Sequence, residues 1–443
     1  MPAVRAYDGP PPSHPVTVVP DDPARRGALV KVRGWEVAVA DPVDHVGSIA
    51  DLSASADHLG WANDRHASGP PFTDGLVGFI TDDASAALVD LPTVDVRPTP
   101  APLPPVWFGE YTHAAAQDPQ GRWWLTGRTP ADLDRAEALL RDASSGGRSA
   151  GTGTGISPAT RGAPAVTTTL DREGHARSVR RIREWIAAGE VYQVNLTLHV
   201  AAPWEGSPRA LAYNLFGASH GAAHAAFLHA PGSTIASVSP ETFLRVDGRD
   251  ATVRPIKGTR RRSPDGPEDR RLASELVAAA KDNAEHVMIV DLERNDLGRI
   301  CEIGSVHVPE LLGLEAHPTV WHLTSTVTGR IRRSTPFAEV LRALFPCGSV
   351  TGAPKRRAVE LIRTVEPWRR GIYCGAIGVV TTGLVDLSVA IRTAVMHNGL
   401  AWYGTGGGIV TDSDADAEWD EAMAKASLFF DAVGATATAQ LQP

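Results

Sequence analysis

The sequence predicts an α+β fold in which antiparallel sheets carry blocks of inserted helix. Three observations predict it. Alternating apolar and polar runs are joined by tight turns, above all at Asp247-Gly248 and Asn398-Gly399, which are strong hairpin signals. Helical periodicity falls in blocks between those runs and not after each strand, which argues against a doubly wound parallel sheet. The 443 residues, 43% hydrophobic and 21% charged, have the composition of a globular chain with a substantial core.

Residues 1–26 are rich in Pro and polar residues and read as a loose lead-in. Residues 30–32 and 35–39 alternate as strands, followed by further strands at 75–80 and 122–126 and a helix at 130–140. Residues 144–164 are dominated by Gly, Ser, Thr and Ala and read as a flexible linker between an N-terminal region, 1–143, and a second region, 165–437. That second region opens with a helix at 171–188, with Val179, Ile182 and Ile186 on one face and Gly189 as its stop. A period-two strand follows at 194–200. The hairpin strands are 242–246 and 251–256. One long helical stretch is expected over 267–292. Thr335-Pro336 and Pro354 open two more helices. Residues 375–405 read as a meander in which Leu387, Val389 and Ile391 face one way and Ser388, Ala390 and Arg392 the other. A last helix covers 417–433.

Composition excludes several classes. A net charge of −8 and the lack of a Lys/Arg block with interleaved aromatics argue against nucleic-acid binding. The N-terminal stretch lacks a basic segment followed by an apolar one, so no secretory signal is expected. No run approaches the ~18 apolar residues of a membrane span. Cys301, Cys347 and Cys374 are odd in number and unclustered, which fits a reducing cytoplasm and no thiolate metal site.

Four constellations can carry chemistry. Folding the chain about Asp247-Gly248 sets Glu241 opposite Ile256 or Lys257, about 4.5–5.5 Å away between Cα atoms. An acid beside an amine can serve catalysis; an edge ion pair would show the same spacing. Asp282 and Glu285 share one helix face, as do Glu418, Glu421 and Lys425, and these are either solvated charged faces or oxygen ligands for Mg²⁺. Arg392 beside Gly406-Gly407-Gly408 offers a guanidinium and an anion nest, or simply a turn that needs glycine. Residues 347–355, Cys-Gly-Ser-Val-Thr-Gly-Ala-Pro-Lys, lead into a helix N-terminus, either a plain helix start or an anion site.

At Tyr192-Gln193-Val194-Asn195, Ser239-Pro240-Glu241, Pro255-Ile256-Lys257-Gly258-Thr259-Arg260, Glu285-His286, Asp291-Leu292-Glu293-Arg294-Asn295-Asp296, Gly352-Ala353-Pro354-Lys355, Gly375-Ala376-Ile377-Gly378, Ile391-Arg392-Thr393, Gly406-Gly407-Gly408-Ile409-Val410 and Glu418-Trp419-Asp420-Glu421, the chain resembles the chorismate-utilising enzymes. That family includes component I of anthranilate synthase and of aminodeoxychorismate synthase, and the isochorismate and salicylate synthases. The resemblance runs from about 191 to 433 and is weaker in the N-terminal third. It implies a large antiparallel two-sheet sandwich flanked by helices. It implies Glu241 as general acid for the departing 4-hydroxyl, and Glu285 and Glu421 as Mg²⁺ ligands with Asp282 and Glu418 behind bridging waters. Arg392, Gly406, Gly407, Lys425, Gly258 and Thr259 are implied as substrate contacts, with Thr351 and Tyr373 as further candidates.

Two positions narrow the reaction. Family members that add water carry a lysine base where this chain has Gln193. Anthranilate synthases carry alanine where this chain has Lys257. In the aminodeoxychorismate branch a lysine there is taken as a nucleophile. The resemblance therefore implies amination of chorismate at C4 with the enolpyruvyl group retained, for 4-aminobenzoate and folate. Anthranilate synthesis is the alternative, and a non-catalytic chorismate-binding subunit a distant one. None of the three cysteines has a glutaminase context, so ammonia is expected from a glutamine amidotransferase partner. A separate aminodeoxychorismate lyase is expected to act next.

Overall fold

A computed structural model describes residues 3–63, 69–146, 164–219, 221–318 and 320–435. Most of the 144–164 linker lies outside the described residues. Two large antiparallel sheets, of twelve and ten strands, form the framework, and helices flank them. Strands of the N-terminal third enter both sheets: Ala28–Val32 pairs with Ala226–Ala230, and Gly75–Ile80 with Ala376–Thr381. Apolar residues of the two sheets, among them Val30, Val39, Phe79, Ile235, Ile377 and Val395, meet in one buried cluster. Burying each such side chain contributes about 1.5–3 kcal/mol.

The elements that carry the site are numbered here in chain order. They are β1 (Gln193–Pro203), β2 (Thr242–Asp247), β3 (Asp250–Arg254), β4 (Ile256–Arg261), α1 (Gly266–Ala278), α2 (Ala280–Gly298), β5 (Val320–Arg330), α3 (Lys355–Val365), β6 (Leu384–Val389), β7 (Thr393–His397), β8 (Leu400–Ile409) and α4 (Ala415–Lys425). β1 runs antiparallel to β8 along its whole length, and β2 lies between β3 and β6.

The Asn398-Gly399 turn forms as the sequence predicts. His397 pairs with Leu400, and both turn residues have positive φ (48° and 73°), the geometry that favours Asn-Gly. Other details differ. The β2–β3 ladder starts in the expected register, Asp247 with Asp250, but a bulge shifts it so that Thr242 pairs with Arg254. Glu241 therefore stands level with Pro255, and β4 peels away to pair with β5, where Lys257 faces Leu323. Lys257 is not the cross-strand partner of Glu241.

The long helix over 267–292 is two helices broken at Ala279 (ψ 91°). No Gly or Pro marks the break. It follows tertiary packing: Leu276 of α1 seats against Gly258, whereas α2 buries His286 completely. The last helix likewise divides at Ala426. Thr335 does not cap the helix after it. Pro336 takes the cap position, and the free N–H groups of Phe337 and Ala338 donate to Asp57 Oδ1 (3.2 Å) and Ser53 Oγ (2.9 Å) of the Ile49–Leu59 helix. A cap supplied from 280 residues away leaves no local signal.

Candidate active site

The site lies where β4, α2 and α4 converge on β8. Glu241 is 3% exposed. Its backbone is pinned at both ends: its N–H donates to Ser239 Oγ at 3.2 Å, and its carbonyl accepts from Val389 N–H at 3.0 Å. Its carboxylate accepts the Ser349 hydroxyl at 2.6 Å. Burial pushes its pKa up to about 7; the Ser349 hydrogen bond and the Lys257 charge oppose the rise, and the neighbouring Glu293 adds to it. A carboxyl poised there can donate a proton near neutrality.

The Lys257 amine points at the glycine run of β8. A Cβ placed on Gly408 would stand 3.2 Å from Lys257 Nζ and 2.8 Å from Gln193 Nε2. No ion pair joins Lys257 to Glu241 among the described residues, which removes the edge-pair reading. Burial lowers the amine's pKa and Lys425 adds to that, while Glu285, Glu241 and Glu421 pull it back up. A lysine drawn down in this way has a larger neutral, nucleophilic fraction. Behind it, His286 is fully buried and held neutral, its pKa brought down to about 4 by burial.

The glycines make the two faces of β8 one site. On one face, Gly408 lies under Lys257 and Gln193. On the other, a Cβ on Gly407 would stand 3.3 Å from Glu418 Oε2 and 3.7 Å from Lys425 Nζ. With no side chains at 406–408, groups on both faces reach the same backbone. Gly406 is further constrained, since a Cβ there would lie 2.2 Å from the Leu196 carbonyl. Lys425 donates to the Gly406 carbonyl at 3.0 Å and pairs with Glu421 at 2.8 Å.

Each carboxylate of the α2 and α4 faces has a cation. Asp282 faces Arg260 at 3.3 Å. Lys281 Nζ sits between Glu285 (3.9 Å) and Glu418 (3.7 Å). Burial raises the pKa of Glu285, whereas the Lys425 charge lowers that of Glu421. Among the described residues no three His, Cys, Asp or Glu side chains close into a ready metal cage. The donor set still suits Mg²⁺, which is usually held by one or two carboxylates and completes its shell with water and substrate oxygens.

Arg392 has φ 50° and lies just beyond the β7–β8 ladder, which starts at Ala394–Tyr403. Among the described residues nothing bonds its guanidinium, and it stands near His322, whose ring Nδ1 meets Thr259 Oγ1 at 2.9 Å. Gly258, at φ 78°, supplies the bend between Lys257 and Thr259. Thr351 and Tyr373, the two further candidates, are both buried. The Thr351 hydroxyl proton goes to the Cys347 carbonyl at 2.7 Å, and the residue is fully buried. Tyr373 packs edge-on against His199 with its ring over Gly404.

The structure also adds residues. Gln193 is fully buried, and among the described residues neither atom of its amide has a hydrogen-bond partner. A buried amide facing an amine is a position for a polar ligand. Lys281 was absent from the sequence reading, although its i,i+4 spacing to Glu285 was visible. Ser349 lies in the 347–355 motif, where residue type alone gives it no role.

A family model described as chorismate binding enzyme matches residues 25–431, so this chain, a two-sheet sandwich with a buried acid and an amine in one site, belongs to that family. It is 43% identical over 257 residues to the aminodeoxychorismate synthase component 1 of Escherichia coli, covering 58% of this chain and 56% of that protein. The chain thus spans little more than half the length of that relative. It is 36% identical over 410 residues to the anthranilate synthase component 1 of Thermus thermophilus, covering 92% and 86%. Among solved structures, anthranilate synthase component I of Streptococcus pneumoniae superposes with a TM-score of 0.72 at 26% identity, over 96% of this chain and 92% of that one.

Proposed function

We propose that this protein aminates chorismate at C4, as an aminodeoxychorismate synthase component I. The observation that carries this is the Lys257 amine, enclosed beside Gln193 at Gly408 and unpaired with the buried acid Glu241. Lys257 Nζ attacks C2 of the ring, the ring double bond shifts, and the C4 hydroxyl leaves as water with the proton of Glu241. The attached nitrogen stays protonated as an ammonium, which lets it leave as the neutral amine in the second step. Ammonia adds at C4, the double bond returns, and the Lys257 amine leaves. The enolpyruvyl group stays on the ring. One hard displacement becomes two allylic ones.

Arg392 holds a substrate carboxylate, with the Gly406-Gly407 backbone and Lys425 alongside and Gly258 and Thr259 lining the approach. Mg²⁺ would sit on Glu285 and Glu421, with Glu418 and Asp282 behind them. When bound, it neutralises this acidic end of the cleft and so permits an anionic substrate. Ammonia comes from a glutamine amidotransferase partner, and a lyase consumes the product. Anthranilate synthesis is the second reading, favoured by the wider coverage of the anthranilate synthase match; Lys257 weighs against it. The two separate in one assay with chorismate, Mg²⁺ and ammonium salt. An aminated product that keeps its enolpyruvyl group is expected. Anthranilate fluorescence without added lyase would overturn the reading.

A further inference from the structure

Glu241 is sealed from solvent, yet a general acid must regain its proton after each turnover. A continuous chain of hydrogen-bonding groups leads away from it. Ser349 Oγ donates to Glu241 Oε1 at 2.6 Å; Cys347 Sγ lies 3.2 Å from Ser349 Oγ; Cys347 Sγ lies 3.5 Å from Glu293 Oε1. Every member is buried, with Glu293 2% exposed and Cys347 and Ser349 each 5%. Glu293 is held from behind by the Gly348 N–H at 3.0 Å. Beyond it, Lys355 of α3 pairs with Asp296 at 2.6 Å.

We propose that Glu293, Cys347 and Ser349 form a proton relay that reloads Glu241. The proposal rests on Glu241 acting as the general acid of the amination above. With Glu241 ionised after water leaves, Ser349 passes its hydroxyl proton to Glu241. The Cys347 S–H proton moves to the Ser349 oxygen, and the Glu293 carboxyl proton moves to the Cys347 sulfur. Each O–H or S–H bond broken is matched by one formed, so Ser349 and Cys347 end neutral. The net change is one proton moved from Glu293 to Glu241. The ionised Glu293 then faces the Lys355 cation. The cycle consumes one proton at the departing hydroxyl and frees one at the incoming ammonia, so Glu293 is recharged without net uptake.

The electrostatics agree with this geometry. Burial brings Glu293 up to about 7; Asp296 adds to the rise, and Lys355, the Gly348 N–H and the Cys347 thiol oppose it. Glu241, facing Ser349, Lys257, Glu293 and the Ile256 N–H, has the same value. Burial raises both carboxyls, so each can hold a proton near neutrality. Burial, with the charges of Glu293 and Glu241, pushes the Cys347 thiol well up, so it relays as S–H and not as thiolate.

The test is kcat, the chorismate KM and a proton inventory in H2O–D2O mixtures, with saturating ammonium salt and Mg²⁺. It compares wild type with Glu241→Gln, Glu293→Gln, Ser349→Ala, Cys347→Ala and Cys347→Ser. Cys347→Ala, Ser349→Ala and Glu293→Gln are expected to lose about tenfold in kcat with KM unchanged. The curved inventory of the wild type should become linear in Cys347→Ala, and Cys347→Ser, which restores a donor–acceptor hydroxyl, should recover both rate and curvature. If Glu241→Gln is inactive while Cys347→Ala and Ser349→Ala keep wild-type kcat and curvature, the relay is refuted and the amination reading stands. Failure of Cys347→Ser to rescue makes Cys347 a packing residue and also refutes the relay. Full activity of Glu241→Gln would overturn the general-acid reading itself.

Discussion

Glu241 and Glu421 are glutamates that both act on the Lys257 amine and are held in opposite states. Glu241 is buried and forms no ion pair among the described residues, and its pKa rises to about 7. Glu421 is exposed, lies 2.8 Å from Lys425, and has its pKa lowered, first by that charge. Burial without a close cation makes an acid; exposure beside a cation makes an anionic ligand. On the proposed mechanism the site has a proton-donating end at β2 and a charge-accepting end at α2 and α4, with the Lys257 amine, which feels both, between them.

The comparison breaks most sharply at Lys257, which feels the charges of Glu241, Glu285 and Glu421. Lys257→Ala should reduce ammonium-dependent turnover by about a thousandfold or more, while chorismate still binds, as read by kcat and by calorimetric titration. At the charge-accepting end, Glu421→Ala should weaken Mg²⁺ binding by about tenfold or more, measured by titration of Mg²⁺ against activity and against protein heat. An unchanged Mg²⁺ requirement would remove Glu421 from the metal site.

A smaller effect of the opposite sign is expected from Lys281→Gln. Lys281 shares Glu285 and Glu418 and so competes with a metal for them. Its removal should tighten Mg²⁺ binding about threefold, the scale of an exposed pair. Weaker binding would show that Lys281 organises the carboxylates.

The proton-donating end should also appear in stability. The folded pKa of Glu241 and of Glu293 is raised from 4.5 to about 7. Their contribution is therefore fully present below pH 4.5 and is lost as pH rises through about 7. Thermal melts of Glu241→Gln should fall less steeply than wild type over that window. An identical fall would mean that the Glu241 carboxyl is not desolvated in the folded protein.

Much of this arrangement was legible in the sequence, for identifiable reasons. Asn398-Gly399 fixed its hairpin because only the turn residues decide that geometry. The glycine run, Lys257, Glu241 and the carboxylates at helical spacing could be named because their chemistry is carried by residue type. The bulge that moves Glu241 by one position, the break at Ala279 and the cap on Phe337 from Asp57 could not, since each is set by contacts between distant segments. Thr351 is a candidate contact only through the family resemblance; its sequence does not reveal that its hydroxyl donates to the Cys347 carbonyl. The relay through Ser349 was hidden for the same reason, since serine spacing does not reveal which carboxylate it meets.

The most direct measurement is the intact mass of the protein quenched after mixing with chorismate and Mg²⁺ in the absence of ammonia, followed by peptide mapping. The Lys257 mechanism predicts a species heavier by chorismate less one water, located on Lys257, absent from Lys257→Ala and discharged when ammonium salt is added. Turnover to the C4-aminated product by an enzyme that never carries this adduct, or that retains its rate as Lys257→Ala, would contradict it.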